Sequence, residues 1–415
     1  MRNDALYHYS RRGDEVFRMI SEKVTAVTKV LGPAWLVMMA DVDVASIITG
    51  LQAGSTWGYR MVFVMIALTV PLFLIQDATG RLGAAAGMGL GHAILKYYGR
   101  RTAVLAALPM AVSDVLEYVA EFAGVAVGLI LLRLPVLPGL IAVFILHTAV
   151  VVGRQYREAQ AILLPVSFVL VAMILATAAV FPANAHELIS DGITPLQPYL
   201  NRKFDYLMAA SIGAVIMPWM LYFQSGAASR NSLTPGDIGR QKWMTLTGAV
   251  VSEVLMSVIV IDGTHIAAGG SIISIHGIAL EVAGLGSYAT LALGIGFVAA
   301  GFLALVVISL GSAWGVLEGL GLHSRKSFMS VYFAESIPAL VVVVLVSGYV
   351  ELMLNLMVIY TVIVIPSLFF LGRLVSNKRV MNDSTFNGIE SAAFYIASAS
   401  VVAGGLLGVI SLIGW

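Results

Sequence analysis

The chain has 415 residues, 59% of them hydrophobic and 11% charged, with a formal net charge of +1 and no cysteine. A soluble core of this size carries about twice that charge, so the composition describes a polytopic, all-α membrane protein. Disulfides, thiolate metal sites and a cysteine nucleophile are excluded, and the near-neutral balance argues against nucleic acid as a partner.

Residues 1–30 are polar and amphipathic. They read as a cytosolic helix leading into the first span, with no cleavable signal peptide. Apolar runs of about 17–25 residues then predict eleven spans. These lie at roughly 31–52, 60–80, 104–132, 136–153, 158–181, 204–226, 243–263, 290–318, 328–348, 351–375 and 390–414. With the N-terminus inside, all of the 24 basic residues except Arg60, Arg133, Arg202 and Lys203 fall on inside segments. That bias sets the orientation, N-terminus cytoplasmic and C-terminus extracellular. The outside segments 182–203 and 264–289 are too short for a soluble domain. Gly83-x-x-x-Gly87 and Gly124-x-x-x-Gly128 are read as helix-packing glycines.

The first span carries two carboxylates, Asp41 and Asp43, with no Lys or Arg between Lys29 and Arg60. A charge at the bilayer centre costs at least about 2.5–3.5 kcal/mol, so an unpaired carboxylate there marks a functional site whose natural partner is a cation. The sixth span places Pro218 mid-membrane, where it removes a backbone donor. Gly213 and Ala214 just before it are expected to let the chain unwind. Broken helices at this depth line a cavity, as in inverted-repeat transporters. Asp43 and Met217 then stand at corresponding places in two five-helix halves, 31–181 and 204–375, with 390–415 as an extra helix.

Several stretches resemble one known family, the Nramp (natural-resistance-associated macrophage protein) divalent-metal transporters. Gly32-Pro-Ala-Trp-Leu-Val37, Asp43 and Leu51-Gln-Ala-Gly-x-x-x-Gly-Tyr59 fall in register with that family's first helix. Gln76-Asp-Ala-Thr-Gly-Arg-Leu-Gly83 is similar to its QSLAARLG, and Ala214-Val-Ile-Met217-Pro218-Trp219 falls on its A-x-x-M-P-H. Ala120-Glu121 falls on its A-E, and Leu317-Glu318-Gly319 resembles its M-E-G. The resemblance covers residues of about 30–380. It implies eleven helices in a five-plus-five inverted repeat, the leucine-transporter-like fold, with helices 1 and 6 discontinuous.

The departures from the pattern are informative. The family's D-P-G-N is here Asp43-Val44-Ala45-Ser46, which keeps the carboxylate but loses the helix-breaking Pro-Gly. Its histidine after Met-Pro is Trp219, which takes no proton. Its third-span aspartate is Tyr118, and the tyrosine two residues before the site aspartate is Asp41. These changes are similar to those of the divergent Nramp-related magnesium transporters, in which proton coupling is lost.

The resemblance implies Asp43, Ser46, Ala214 (through its carbonyl), Met217 and Asn355 as candidate ligands of the transported ion. Asp41, Trp219, Glu117 and Glu121 are candidates for outer contacts or a proton relay, and Glu253 and Asp262 are further acids in the seventh span. Mg²⁺ demands octahedral oxygen coordination and sheds its waters reluctantly, which suits Asp43 and Ser46 with water between. Met217 pulls the other way, because a thioether selects transition metals, unless it only lines the cavity. Asp41 either accepts from metal-bound water or faces other helices as a hydrogen-bonded acid. The seven histidines, His8, His92, His147, His186, His265, His276 and His323, are read as termini, loops or peripheral span ends. A relay near neutral pH wants His. The expectation is therefore Mg²⁺ uptake, with Mn²⁺ accepted, as a partly hydrated and uncoupled ion. The alternative is a proton-coupled Mn²⁺/Fe²⁺ importer. No cofactor and no catalytic residue are expected: a metal-dependent enzyme would want a motif such as His-x-x-x-His, which does not occur. A channel would differ from a carrier by failing to saturate. The partners are the divalent cation and the bilayer, and the chain is expected to be a monomer in a prokaryotic plasma membrane.

Overall fold

The computed structural model describes residues 32–266, 275–345 and 349–413. The cytosolic helix expected over 1–30 lies outside the described residues. The first span is two helices, α1 (Gly32–Asp41) and α2 (Val44–Trp57), bent by 48° at Val42 and Asp43. After it come α3 (Arg60–Ala86), the short α4 (Leu90–Tyr98), α5 (Arg100–Leu131), α6 (Val136–Val151) and α7 (Tyr156–Val180). A single turn, α8 (Ala185–Glu187), continues into a π-turn over Leu188–Gly192 within the connecting segment. The sixth span is again two helices, α9 (Arg202–Val215) and α10 (Pro218–Arg230). Then follow α11 (Ile238–Gly263), α12 (Ile275–Gly284), α13 (Ser287–Leu320), α14 (Arg325–Leu345), α15 (Tyr349–Ile363), α16 (Ile365–Val375), the short α17 (Lys378–Met381) and α18 (Gly388–Ile413).

Among the described residues, nine helices or helix pairs are long and apolar enough to cross a membrane, the bent first span adds one, and Val136–Val151 is a shorter apolar helix. Each predicted span therefore has its helix. All-helical construction is what a bilayer demands, since every backbone donor and acceptor must be met inside the segment.

Two places break that rule, and both are enclosed by protein. The most apolar stretch of the sixth span is 89% buried, so lipid does not reach its broken backbone. Gly213 and Ala214 do not unwind, contrary to expectation: they belong to α9, and the break falls at Ile216 and Met217. A Cβ at Gly213 would overlap the Met357 carbonyl oxygen, so this glycine serves close approach to α15. A side chain at Gly124 would overlap Val44 in the same way. That contact presses the start of α2 onto α5 and sets the distance between Asp43 and the acids of α5. Gly87 is not a packing residue: it has φ +64, ends α3, and has nothing within 4 Å of a Cβ.

Candidate metal centre

The centre is built where α2 begins. Asp43 is the N-cap of α2, and its Oδ1 accepts from the Ser46 N–H at 2.7 Å. A helix start leaves backbone N–H groups without intrahelical partners. A second one, Val44 N–H, donates to Glu121 Oε2 at 3.3 Å. Two carboxylates thus satisfy the open end of α2 and gather at its positive pole.

Glu117 stands one turn before Glu121 on the same face of α5. Asp43, Glu117 and Glu121 each offer a carboxylate oxygen, all within 4.8 Å of one another, and all three residues are fully buried. Asp43 Oδ2, Glu121 Oε1 and both oxygens of Glu117 have no hydrogen-bond partner among the described residues. The ion pairs among the described residues lie elsewhere, at Arg60, Arg81, Arg154, Arg230 and Arg240. Three buried carboxylates facing one another without a basic partner among the described residues offer a set of hard oxygen donors that could hold a cation.

The sixth span closes the centre from the other side. Pro218 lacks the N–H that would reach back to Ala214, so the Ala214 carbonyl is free of its helix. It accepts from Ser46 Oγ at 3.2 Å instead. The expected hydroxyl ligand, Ser46, is therefore engaged in tying the two broken spans together. Met217 and Trp219 are fully buried, and the Trp219 indole N–H donates to the Met217 sulfur at 3.2 Å. The residue in the histidine's place thus occupies the thioether.

Other expected site residues are drawn away. The bend turns Asp41 toward α11, where its Oδ2 accepts from Ser252 Oγ at 2.8 Å, next to Glu253. Asn355 accepts from the Tyr206 hydroxyl at 2.7 Å in a half-buried contact between α15 and α9, and no described contact brings it to Asp43. Asp262 accepts from Thr177 at 2.5 Å near the far end of α11.

His147 is fully buried in α6, not peripheral. Its ring nitrogens meet Ser309 Oγ at 2.8 Å and the Tyr332 hydroxyl at 3.1 Å, and Ser309 also accepts from Tyr118 at 2.6 Å. Tyr118, in the place of the third-span aspartate, is thereby joined to a histidine through one serine.

Two further buried acids on or beside α5 were missed in the sequence. Asp114 continues the acidic face of α5 three residues before Glu117, and the Tyr360 hydroxyl lies 3.4 Å from its Oδ1. Glu335 on α14 accepts from Ser312 at 2.9 Å. The i, i+3, i+7 spacing of Asp114, Glu117 and Glu121 was a readable signal for one helix face.

Comparison with known proteins agrees with this architecture. The family model described as natural resistance-associated macrophage protein-like matches residues 34–411. Similar relatives include the divalent metal cation transporter MntH of Xylella fastidiosa, 24% identical over 258 residues covering 61% of this chain and 53% of the relative. The MntH of Staphylococcus haemolyticus is 28% identical over 198 residues, covering 47% of this chain and 44% of the relative. The chain spans about half the length of the curated relatives it matches. Among solved structures, the manganese transporter of Eremococcus coleocola superposes with a TM-score of 0.77 at 16% identity, covering 94% of this chain and 88% of the other. MhsT in complex with L-phenylalanine superposes with a TM-score of 0.58 at 11% identity, covering 89% and 98%. The fold is the leucine-transporter-like arrangement of five plus five helices with one more. The match over nearly the whole chain makes this multi-pass membrane protein a member of the natural resistance-associated macrophage protein-like family.

Proposed function

We propose that the chain carries divalent metal ions across a plasma membrane by alternating access, with the ion as substrate and not as cofactor, and that Mg²⁺ is preferred with Mn²⁺ accepted. The observation that carries this reading is the Asp43–Glu117–Glu121 cluster, three buried carboxylates within 4.8 Å with no basic partner among the described residues. The relatives are named as divalent metal cation transporters, which supports a carrier and not an enzyme. Preference for Mg²⁺ is supported by the donor set. All three side chains are hard oxygen ligands, and the one soft donor, Met217, has its sulfur engaged by Trp219.

The ion moves uncoupled, driven by the membrane potential. Two charges at 100 mV gain about 4.6 kcal/mol from the field. The distribution of basic residues supports an N-terminus on the cytoplasmic side. Segments 31–181 and 204–375 are the two repeats that rock about Asp43 and Met217, with 390–415 the added helix and a single chain as the working unit.

The test is Mg²⁺ uptake into proteoliposomes with a magnesium-sensitive dye and an internal pH indicator at set potentials. Saturable uptake without acidification, lost in Asp43→Ala, is the expected result. Acidification that tracks Mn²⁺ uptake with no Mg²⁺ signal would reject it in favour of a proton-coupled Mn²⁺/Fe²⁺ importer. One observation favours that second reading: buried His147 is linked through Ser309 to Tyr118 on α5.

A further inference from the structure

Below the sixth-span break, glutamines from α10 and α11 meet against Gly80 of α3, one turn after a third buried glutamine, Gln76. Gln76 of α3 and Gln224 of α10 are fully buried and Gln241 of α11 is 6% exposed. Both polar atoms of Gln76, both of Gln241 and the Oε1 of Gln224 have no hydrogen-bond partner among the described residues. The remaining amide nitrogen, Gln224 Nε2, donates to Thr245 Oγ1 at 3.3 Å, one turn along α11 from Gln241. Gln241 and Gln224 converge over Gly80, which lies one turn after Gln76 on α3. A Cβ there would overlap the Gln241 amide and stand 2.9 Å from Gln224 Nε2.

Buried amides are ordinarily satisfied, and these five unmatched polar atoms call for a partner that the described residues do not supply. The position says what that partner is. Gln224 lies six residues past Pro218, about 9 Å along α10 from the broken backbone beside the carboxylates. Gln241 lines a cavity of about 510 Å³ at the start of α1, shared with Gly32, Pro33, Asn231 and Asp237. The cluster therefore bridges the metal centre and a polar cavity on the basic side of the molecule.

We infer that Gln76, Gln224 and Gln241 form a transient binding site for the hydrated divalent cation between the carboxylates and that cavity. The inference rests on the transporter reading above and adds to it a second station of different chemistry. An aquo cation presents water hydrogens outward, and amide oxygens accept them without entering the metal's own shell. Neutral amides hold such an ion weakly, so it passes on with its water; a carboxylate here would trap it. Gly80 provides the room, because any side chain there displaces the Gln241 amide.

The experiment pairs uptake with binding. Mg²⁺ uptake is measured in proteoliposomes, and Mn²⁺ affinity at the carboxylates by electron paramagnetic resonance of the purified protein. Gln224→Leu with Gln241→Leu lowers uptake by at least about tenfold, while the Mn²⁺ Kd stays within about twofold of wild type. Gln224→Asn with Gln241→Asn, which keeps both amides, retains more uptake than the leucine pair. Gly80→Ala reproduces the leucine defect without altering a polar group, which guards against a leucine pair that fails to fold. Wild-type uptake in the leucine pair, or an asparagine pair as impaired as the leucine pair, would overturn the inference. Wild-type protein that binds Mn²⁺ but moves no divalent cation would instead reject the transporter reading beneath it.

Discussion

The first and sixth spans are both broken beside the metal centre, but different chemistry holds each break open. In the sixth, Pro218 removes a donor covalently, so the Ala214 carbonyl cannot receive the usual bond from residue 218. In the first, no proline or glycine stands at Val42 and Asp43. The break is held by acceptors, Asp43 taking the Ser46 N–H and Glu121 the Val44 N–H. Those acceptors are two of the three carboxylates of the proposed cation site. The comparison separates a permanent break from a conditional one. Binding a cation at Asp43 and Glu121 draws on the same carboxylates that keep α2 started where it is, so occupancy of the site and the geometry of the first span are coupled.

Substitution at Asp43 gives the largest expected effect and separates the two roles. Asparagine is as good an N-cap as aspartate, whereas alanine costs about 0.5–2 kcal/mol of helix or protein stability. Asp43→Asn should therefore melt near the wild-type temperature, yet lose more than the about 10- to 100-fold in Mn²⁺ affinity typical of losing an outer contact. Asp43→Ala should lose as much affinity and melt lower as well. Equal melting of the two variants would show that the cap does not hold the break. Glu121→Gln comes next, with about 10- to 100-fold weaker Mn²⁺ binding and little change in stability, because the amide oxygen still accepts from Val44. Glu117 accepts no backbone N–H of α2, so Glu117→Gln should weaken binding with less effect on the break than either Asp43→Ala or Glu121→Ala.

Pro218→Ala addresses the permanent break. An interior proline disfavours a helix by about 3 kcal/mol or more. Alanine at 218 supplies the missing N–H, lets α9 and α10 join, and competes with Ser46 for the Ala214 carbonyl. A higher melting temperature is expected together with uptake lowered by about tenfold, the factor that about 1.4 kcal/mol on a barrier represents. A variant with wild-type uptake would show that the sixth span needs no open carbonyl to work.

The sixth-span break was legible because its cause is a residue type with one meaning mid-membrane. Asp43 was legible because an unpaired acid in an apolar run stands out. The direction in which each acid points was not. Asp41 and Asp43 are two residues apart, and only the 48° bend decides that one meets Ser252 and the other the acids of α5. Glu117 and Glu121 share a face by spacing alone, but their convergence on Asp43 depends on Gly124 admitting Val44, a contact between distant parts of the chain. His147 was misplaced for a related reason. Hydropathy locates a residue along a span but says nothing about whether it faces lipid or protein. Asn355 shows the limit of a loose alignment: its partner is Tyr206 on α9.

The smallest expected effect concerns selectivity, and it tests whether the sixth span contributes more than an opened carbonyl. Trp219→Phe keeps an aromatic ring at 219 but removes the N–H that engages the Met217 sulfur. A hydrogen bond of this kind contributes about 1 kcal/mol or less, so freeing the thioether should move the ratio of Mn²⁺ to Mg²⁺ uptake toward Mn²⁺ by about two- to fivefold. A soft donor gains more with Mn²⁺ than with Mg²⁺, so the absolute Mg²⁺ rate should hardly change. Met217→Leu made in the Trp219→Phe background should return the ratio to its starting value, since it removes the freed sulfur and keeps the bulk. An unchanged ratio in Trp219→Phe would mean that the sulfur lies beyond the ion's reach. Met217 would then only line the cavity, and discrimination would belong to the carboxylates of the conditional break alone.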